Sequence, residues 1–463
     1  MLRRLPFGSI EHYNPVVYDG SDPSVLRAAL AYRLFSEVPE PEVAILRRFG
    51  RYVRKQLARH VDCVDPLDFD QYLAGTKYSL RIKDDLRRAH DSLGGGLPLI
   101  DALREYGPFV KAESYPMGGD GVTKAPRAIL APSLTMKAFA GPFIKAIENE
   151  VYKLPWFAKH LTMDEKIQRV IGLRDRFQHY YATDFSKFEA SFSPQFQKLC
   201  ENQLFRHALR NYPLVANLLC RVNAGKKILK ARNGLRTHFV GRRCSGDLWT
   251  SLANGFSNLM LVSFAVSQTG GDWDGIFEGD DGLFGTETPI NESLLTSLGF
   301  VVKLEQVIDP CRASFCGLVF GPSLQVIREP YRFLQKFGWT FSYVHSNEKM
   351  MLRLLRAKAL SAVYETPHCP IVGVLAREAL LFTRGYLPKW VEDGFHEFPS
   401  DEVEIPRFEP TADTRLLFAE LYGIDIDLQL CMEDLIRQRR MSDFSRLLDL
   451  PGANFGSTCL QVE

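Results

Sequence analysis

The stretch Ile276-Phe277-Glu278-Gly279-Asp280-Asp281-Gly282-Leu283-Phe284-Gly285 sets short apolar runs on both sides of a Gly/Asp turn. That pattern predicts a β-hairpin with two adjacent carboxylates at its tip. Adjacent carboxylates repel, so a hard cation that neutralises them is favoured, and Mg²⁺ prefers such oxygens. By itself the triplet is weak. Gly-Asp-Asp arises by chance in about one chain of this size in ten, and an ordinary hairpin turn explains it equally well.

Upstream, Tyr181-Ala182-Thr183-Asp184-Phe185-Ser186-Lys187-Phe188-Glu189 places an acid five residues before another. An Asp at a strand end reaches into a cleft while the chain turns away; a helix N-cap is the alternative. Between these two segments lies Ser245-Gly246-Asp247-Leu248-Trp249-Thr250-Ser251-Leu252-Ala253-Asn254. Thr250 and Asn254 are four apart and share a helix face beside a flexible polar turn. Such a face suits a sugar, although two satisfied polar side chains on a capped helix fit the same letters. Earlier still, Lys111, Lys124 and Arg127 fall close together, with Pro126 stiffening the backbone. Arg127 offers a planar fork for phosphate oxygens; a solvated basic loop is the competing account.

The order of these elements is more specific than any one of them. A Lys/Arg segment, then Asp-x-x-x-x-Glu, then Ser-Gly-x-x-x-Thr-x-x-x-Asn, then Gly-Asp-Asp resembles the ordered motifs of viral RNA-dependent RNA polymerases. Ser245-Gly246-Asp247 is similar to the opening of the second palm motif in the tombusvirus-like group of positive-strand RNA viruses. Leu298-Gly299-Phe300-Val301-Val302-Lys303 looks like the fourth palm motif, and Ser314-Phe315-Cys316-Gly317-Leu318-Val319-Phe320 like the primer grip. Thr76-Lys77-Tyr78 resembles a fingers segment. The resemblance covers roughly residues 65–340. One departure is Glu189, where the family usually has Asp.

The resemblance implies an α+β right-hand fold of fingers, palm and thumb, with a small antiparallel palm sheet backed by helices. Its implied divisions are an N-terminal arm (1–40), fingers (41–175), palm (176–200), a fingers insertion (201–240), palm (241–335), and thumb with a C-terminal segment (336–463). It further implies two Mg²⁺ ions, with Mn²⁺ as the alternative, held by Asp184, Asp280 and Asp281. Lys303 would donate a proton. Lys111, Lys124 and Arg127 would take the triphosphate, while Glu189, Ser245, Gly246, Thr250 and Asn254 would read the sugar. Partners would be RNA template and product, ribonucleoside triphosphates and a membrane-bound viral replication protein, in the host cytoplasm at replication membranes. A reverse transcriptase is the enzymatic alternative; Gly279 and Ser245-Gly246 argue against it. A non-catalytic RNA-binding scaffold is the other, and the retained Asp184, Asp280 and Asp281 argue against that.

The bulk properties agree with a folded enzyme. The 463 residues are 46% apolar, 24% charged and 12% aromatic, which excludes a disordered or fibrous chain. The net charge of +2 is uninformative, but its distribution is not. Residues 202–246 carry ten cations and no Asp or Glu. Phosphate contact through Lys226, Lys227, Lys230 and Arg232 is one reading, and an exposed segment compensated by acids elsewhere is the other. The helix predicted over 41–60 is also basic, with a solvated or a nucleic-acid-facing role. Nine scattered cysteines without a Cys-x-x-Cys pair suggest reduced thiols. Leu248 to Gly271 is uncharged but too polar for a membrane span, and reads as a buried helix lining a site. Helices are predicted to dominate from Asn347 onward, interrupted by a loop over Glu397 to Pro410.

Overall fold

The computed structural model describes residues 2–8, 17–115, 125–390, 409–441 and 443. Helices and small sheets are mixed up to about residue 340, and helices follow. The chain is α+β. Most of the predicted Glu397–Pro410 loop lies outside the described residues.

The sheet that matters most is four-stranded and wholly antiparallel. Its order is Trp273–Glu278, Asp281–Thr286, His179–Phe185, Val302–Val307. The predicted hairpin is present, with Glu278 paired to Asp281 across a two-residue turn. Gly279 has φ +61°. A two-residue hairpin asks for a positive φ at its first central position, which glycine meets without strain. Space is not the reason, because a Cβ there would touch nothing.

Behind this sheet runs the helix Thr250–Ser267, packed against both hairpin strands. It is buried from Leu252 to Val266. A helix apolar on nearly every face belongs inside the protein, which is why the uncharged run from Leu248 folds this way. No helix among the described residues is long and apolar enough to cross a membrane. The same core takes in the basic helix Val43–His60 through Leu46, Phe49, Val53 and Leu57.

A second four-stranded sheet has the order Ala128–Pro132, Glu105–Val110, Lys226–Lys230, Arg236–Val240. Its central pair is parallel and the outer pairs antiparallel. The helix Pro23–Leu34 covers it with Leu26, Ala29, Leu30 and Leu34. A separate core holds the helices from residue 330 onward, together with Leu5 and Phe7. The strand Arg3–Arg4 pairs with Trp339–Thr340, so the N-terminal arm is fastened to this later part.

A buried ionic group joins the first sheet's helix to the rest. Arg243 and Glu201 are both fully buried and paired, and Asp247 Oδ2 lies 3.7 Å from Arg243. Asn223 binds Glu201 Oε2 at 2.7 Å, and Trp249 Nε1 donates to Asn223 at 3.0 Å. Removing one member of such a pair strands the other charge without water, at a cost of about 3–5 kcal/mol. Arg243→Met should therefore lower the thermal unfolding midpoint sharply, measured by circular dichroism. An unchanged midpoint would show that Glu201 is not held by Arg243.

Candidate active site

Register explains how the acids meet. Ala182 pairs with Leu283, and continuing that antiparallel register by two residues puts Asp184 beside Asp281. On its other side Asp184 pairs directly with Lys303. Directly opposed residues present their side chains on one face, so Asp281, Asp184 and Lys303 form a row across the sheet. Asp184 is next to the last residue of its strand, not a helix N-cap. Asp184, Asp280, Asp281 and Lys303 are all exposed.

The tip is held from beneath. Thr183 Oγ1 donates to the carbonyl of Asp280 at 3.0 Å, and Asn258 Nδ2 donates to the same oxygen at 3.0 Å. Asn258 is fully buried. Sequence reasoning did not assign it a role, though it follows Asn254 by one helical turn on the same face. Desolvation, and next the Asp280 carboxylate, push Asp281 up to about 6. Glu278 and Asp184 add to the effect, and a hydrogen bond from Cys316 opposes it. The neighbouring acids therefore repel one another, a condition that a divalent cation relieves. Among the described residues no three His, Cys, Asp or Glu side chains make a ready cage. Mg²⁺ does not need one, since it keeps several waters and takes one or two carboxylates plus substrate phosphates. The donor set fits such an ion.

After Phe185 the chain passes Lys187, at φ +53°, into a short 3₁₀ turn, Phe188–Ser191. This brings Glu189 back toward the hairpin. Burial raises the Glu189 carboxyl from its ordinary value; Arg33 opposes, Asp280 reinforces, and a hydrogen bond from Ser245 and the charge of Arg127 oppose. Arg243 N donates to the carbonyl of Glu189 at 3.0 Å, so the Glu189 turn lies against the segment that leads into Ser245. Arg33 was missed because it lies in the arm, which matches no motif.

Gly246 has φ +122°, and a Cβ there would lie 2.8 Å from the carbonyl oxygen of Leu130. Leu130 N donates to the carbonyl of Ser245 at 2.7 Å. The turn is thereby pressed against the second sheet, and Tyr106 of that sheet donates from its hydroxyl to Asp247 at 2.6 Å. The Thr250 Oγ1 lies 2.9 Å from the carbonyls of both Cys244 and Asp247, which share its one proton. Thr250 thereby shapes the turn. Asn254 is buried, and its Oδ1 has no hydrogen-bond partner.

On the basic side, Lys111 N donates to the carbonyl of Arg127 at 2.7 Å, so the two residues face each other across their strands. Both side chains lean on Glu113, Arg127 at 3.3 Å and Lys111 at 3.6 Å. Lys124 lies outside the described residues. Lys336, which no motif indicated, joins this group from the helix Pro330–Phe337. Desolvation lowers its pKa; Glu113 opposes, and Arg332, Arg127 and Lys111 reinforce.

The expected phosphate-contact set needs a correction. Lys227 is fully buried, and its Nζ donates to the carbonyls of Asn223 at 2.9 Å, Arg242 at 2.8 Å and Gly241 at 3.3 Å. Strand alternation turns it inward while Lys226 points out. Lys230 is exposed but paired with Glu105. Lys226 and Arg232 are exposed.

No curated protein matches the chain. Residues 130–306 match the family model described as viral RNA-dependent RNA polymerase. The matched segment contains the Asp184 strand, the Ser245-Gly246 turn, the Gly279-Asp280-Asp281 hairpin and Lys303. The chain is an RNA-directed RNA polymerase, with a viral RNA-dependent RNA polymerase domain over that segment.

Proposed function

We propose that the chain copies a positive-strand RNA virus genome by two-metal phosphoryl transfer, with Asp184, Asp280 and Asp281 holding the ions. The observation that carries this reading is the row of Asp281, Asp184 and Lys303 across one face of the sheet, with Asp280 in the adjoining hairpin turn. Mg²⁺, or Mn²⁺ in its place, would activate a 3′-hydroxyl and stabilise the leaving pyrophosphate. The protein's share is positioning and electrostatics. Lys111 and Arg127 neutralise the incoming triphosphate. Lys303, paired with Asp184 across the sheet, would hand a proton to the pyrophosphate.

Asn254 supports the sugar reading. Its buried Oδ1 lacks a donor, and a ribose 2′-hydroxyl supplies one. Glu189 accepts a second bond from the sugar, and the exposed Lys226 and Arg232 track the template backbone. In this reading the first sheet and its helix are the palm, the second sheet with residues 201–240 belongs to the fingers, and the helices after 336 form the thumb. The tombusvirus-like relationship, a membrane-bound viral partner and action at cytoplasmic replication membranes belong to the same proposal and rest on motif resemblance.

Asp184→Asn and Asp280→Asn should each abolish nearly all nucleotide incorporation while RNA binding persists, read by primer extension and filter binding on one preparation. Near-normal incorporation by either variant would sink the metal assignment. Neutralising Lys226 and Arg232 together should weaken RNA binding and flatten its salt dependence by a slope of about one to two. Lys227→Ala should instead lower the unfolding midpoint, because it leaves buried carbonyls without a donor; a changed salt slope with unchanged stability would reverse that distinction. Asn254→Ala should reduce the preference for ribo- over deoxynucleotides by about tenfold. An unaltered ratio would remove Asn254 from the sugar site.

A further inference from the structure

The helix Pro23–Leu34 belongs to no recognised motif, yet it bridges both halves of the nucleotide site. Asp22 starts it by accepting from Ser24 N at 2.7 Å, and Pro23 suits the first turn. Leu26, Ala29, Leu30 and Leu34 fall on one helical stripe. They pack on Tyr106, Val110, Ala128 and Leu130, in the strands that lead to Lys111 and Arg127. This anchorage fixes the rotation of the last turn. There, Lys187 Nζ sits 4.9 Å over the ring of Tyr32, tying the helix to the turn that carries Glu189. The next residue, Arg33, is half-buried, and its Nε is buried without a hydrogen-bond partner.

Glu189 stands between opposed influences. The last turn of this helix approaches the 3₁₀ turn that carries Glu189; the charge of Arg33 favours the Glu189 carboxylate, as does that of Arg127, and the charge of Asp280 disfavours it. Glu has one more rotatable bond than the Asp usual in the family, so holding its carboxylate in one place costs more side-chain entropy. A guanidinium with a fixed fork of donors is suited to that restraint. We propose that Arg33 is a positioning residue for nucleotide selection, orienting the Glu189 carboxylate toward the ribose and making the N-terminal helix one wall of the sugar pocket. The inference rests on the reading of Glu189 as a sugar contact.

The test is a double-mutant cycle on the full chain, using kcat/KM for matched ribo- and deoxynucleoside triphosphates with Mg²⁺ and an RNA template. Arg33→Gln keeps the packed stem and removes the charge; Arg33→Lys restores the charge without the fork. Arg33→Gln is expected to lower the ribo-to-deoxy ratio about tenfold, chiefly through ribonucleotide KM. Glu189→Ala should do the same, the pair together should add little, and Arg33→Lys should recover part of the loss. Unfolding midpoints of the variants should match, which a merely structural role for Arg33 would not give. If Glu189→Ala shifts the ratio and Arg33→Gln does not, or if the two effects add, Arg33 does not position Glu189 and the sugar reading stands. If Glu189→Ala leaves the ratio unchanged, the sugar reading fails and the role of Arg33 falls with it.

Discussion

The carbonyl oxygen of Asp280 is the point on which the geometry of the hairpin acids depends. Two donors from different elements meet there, Thr183 from the adjoining strand and Asn258 from the buried helix. A two-residue hairpin in water is a marginal structure. With its tip bonded to a strand on one side and a core helix on the other, it cannot slide without leaving buried polar groups unpaired, each costing about 1–3 kcal/mol. The same bonds reinforce the register that places Asp281 beside Asp184, and a separate ladder sets Lys303 on the other side of Asp184. Repulsion among the acids is therefore resisted by the scaffold.

The second sheet is coupled to this point through the turn at Ser245-Gly246. Leu130 holds the turn's backbone, Tyr106 holds Asp247, and Thr250 closes it from the helix. The hairpin acids sit in front of that helix, and the basic strands sit beyond the turn. The basic strands and the hairpin acids thus share a rigid link of few bonds. The Arg243–Glu201 pair beneath lets a chain segment rich in cations pass through the interior, with its charge met by an acid just outside that segment.

Much of the site was legible because polymerase chemistry writes itself in local patterns. Gly279 marks a turn by its required φ, and Asp280 and Asp281 mark its tip. Asp184 was legible as a strand-end acid, and it lies next to the last residue of its strand. What failed was anything decided by burial. Lys226 and Lys227 are identical letters, and only the pleat turns one outward and the other onto helix-end carbonyls. The spacing of Thr250 to Asn254 did not reveal that the Thr250 hydroxyl also serves the backbone of the turn. Arg33, Lys336 and Asn258 were invisible as site residues for a plainer reason. Their partners are distant in sequence, and no period links them.

The pairing of Arg3–Arg4 with Trp339–Thr340 has a bearing on how the chain comes to be folded. The strand nearest the N-terminus is made first, yet its partner is made more than three hundred residues later. Leu5 and Phe7 wait equally long, because the core they enter is built from helices after residue 330. Contacts so far apart in sequence are slow to form, since the intervening loop must be closed before they repay its entropy. A nascent chain on the ribosome can assemble the sheet bearing Asp184 and Asp280 while its arm still lacks a place to dock. Closure of the molecule thus reports that translation has passed residue 340, and the fully tethered form exists only in chains complete to that point.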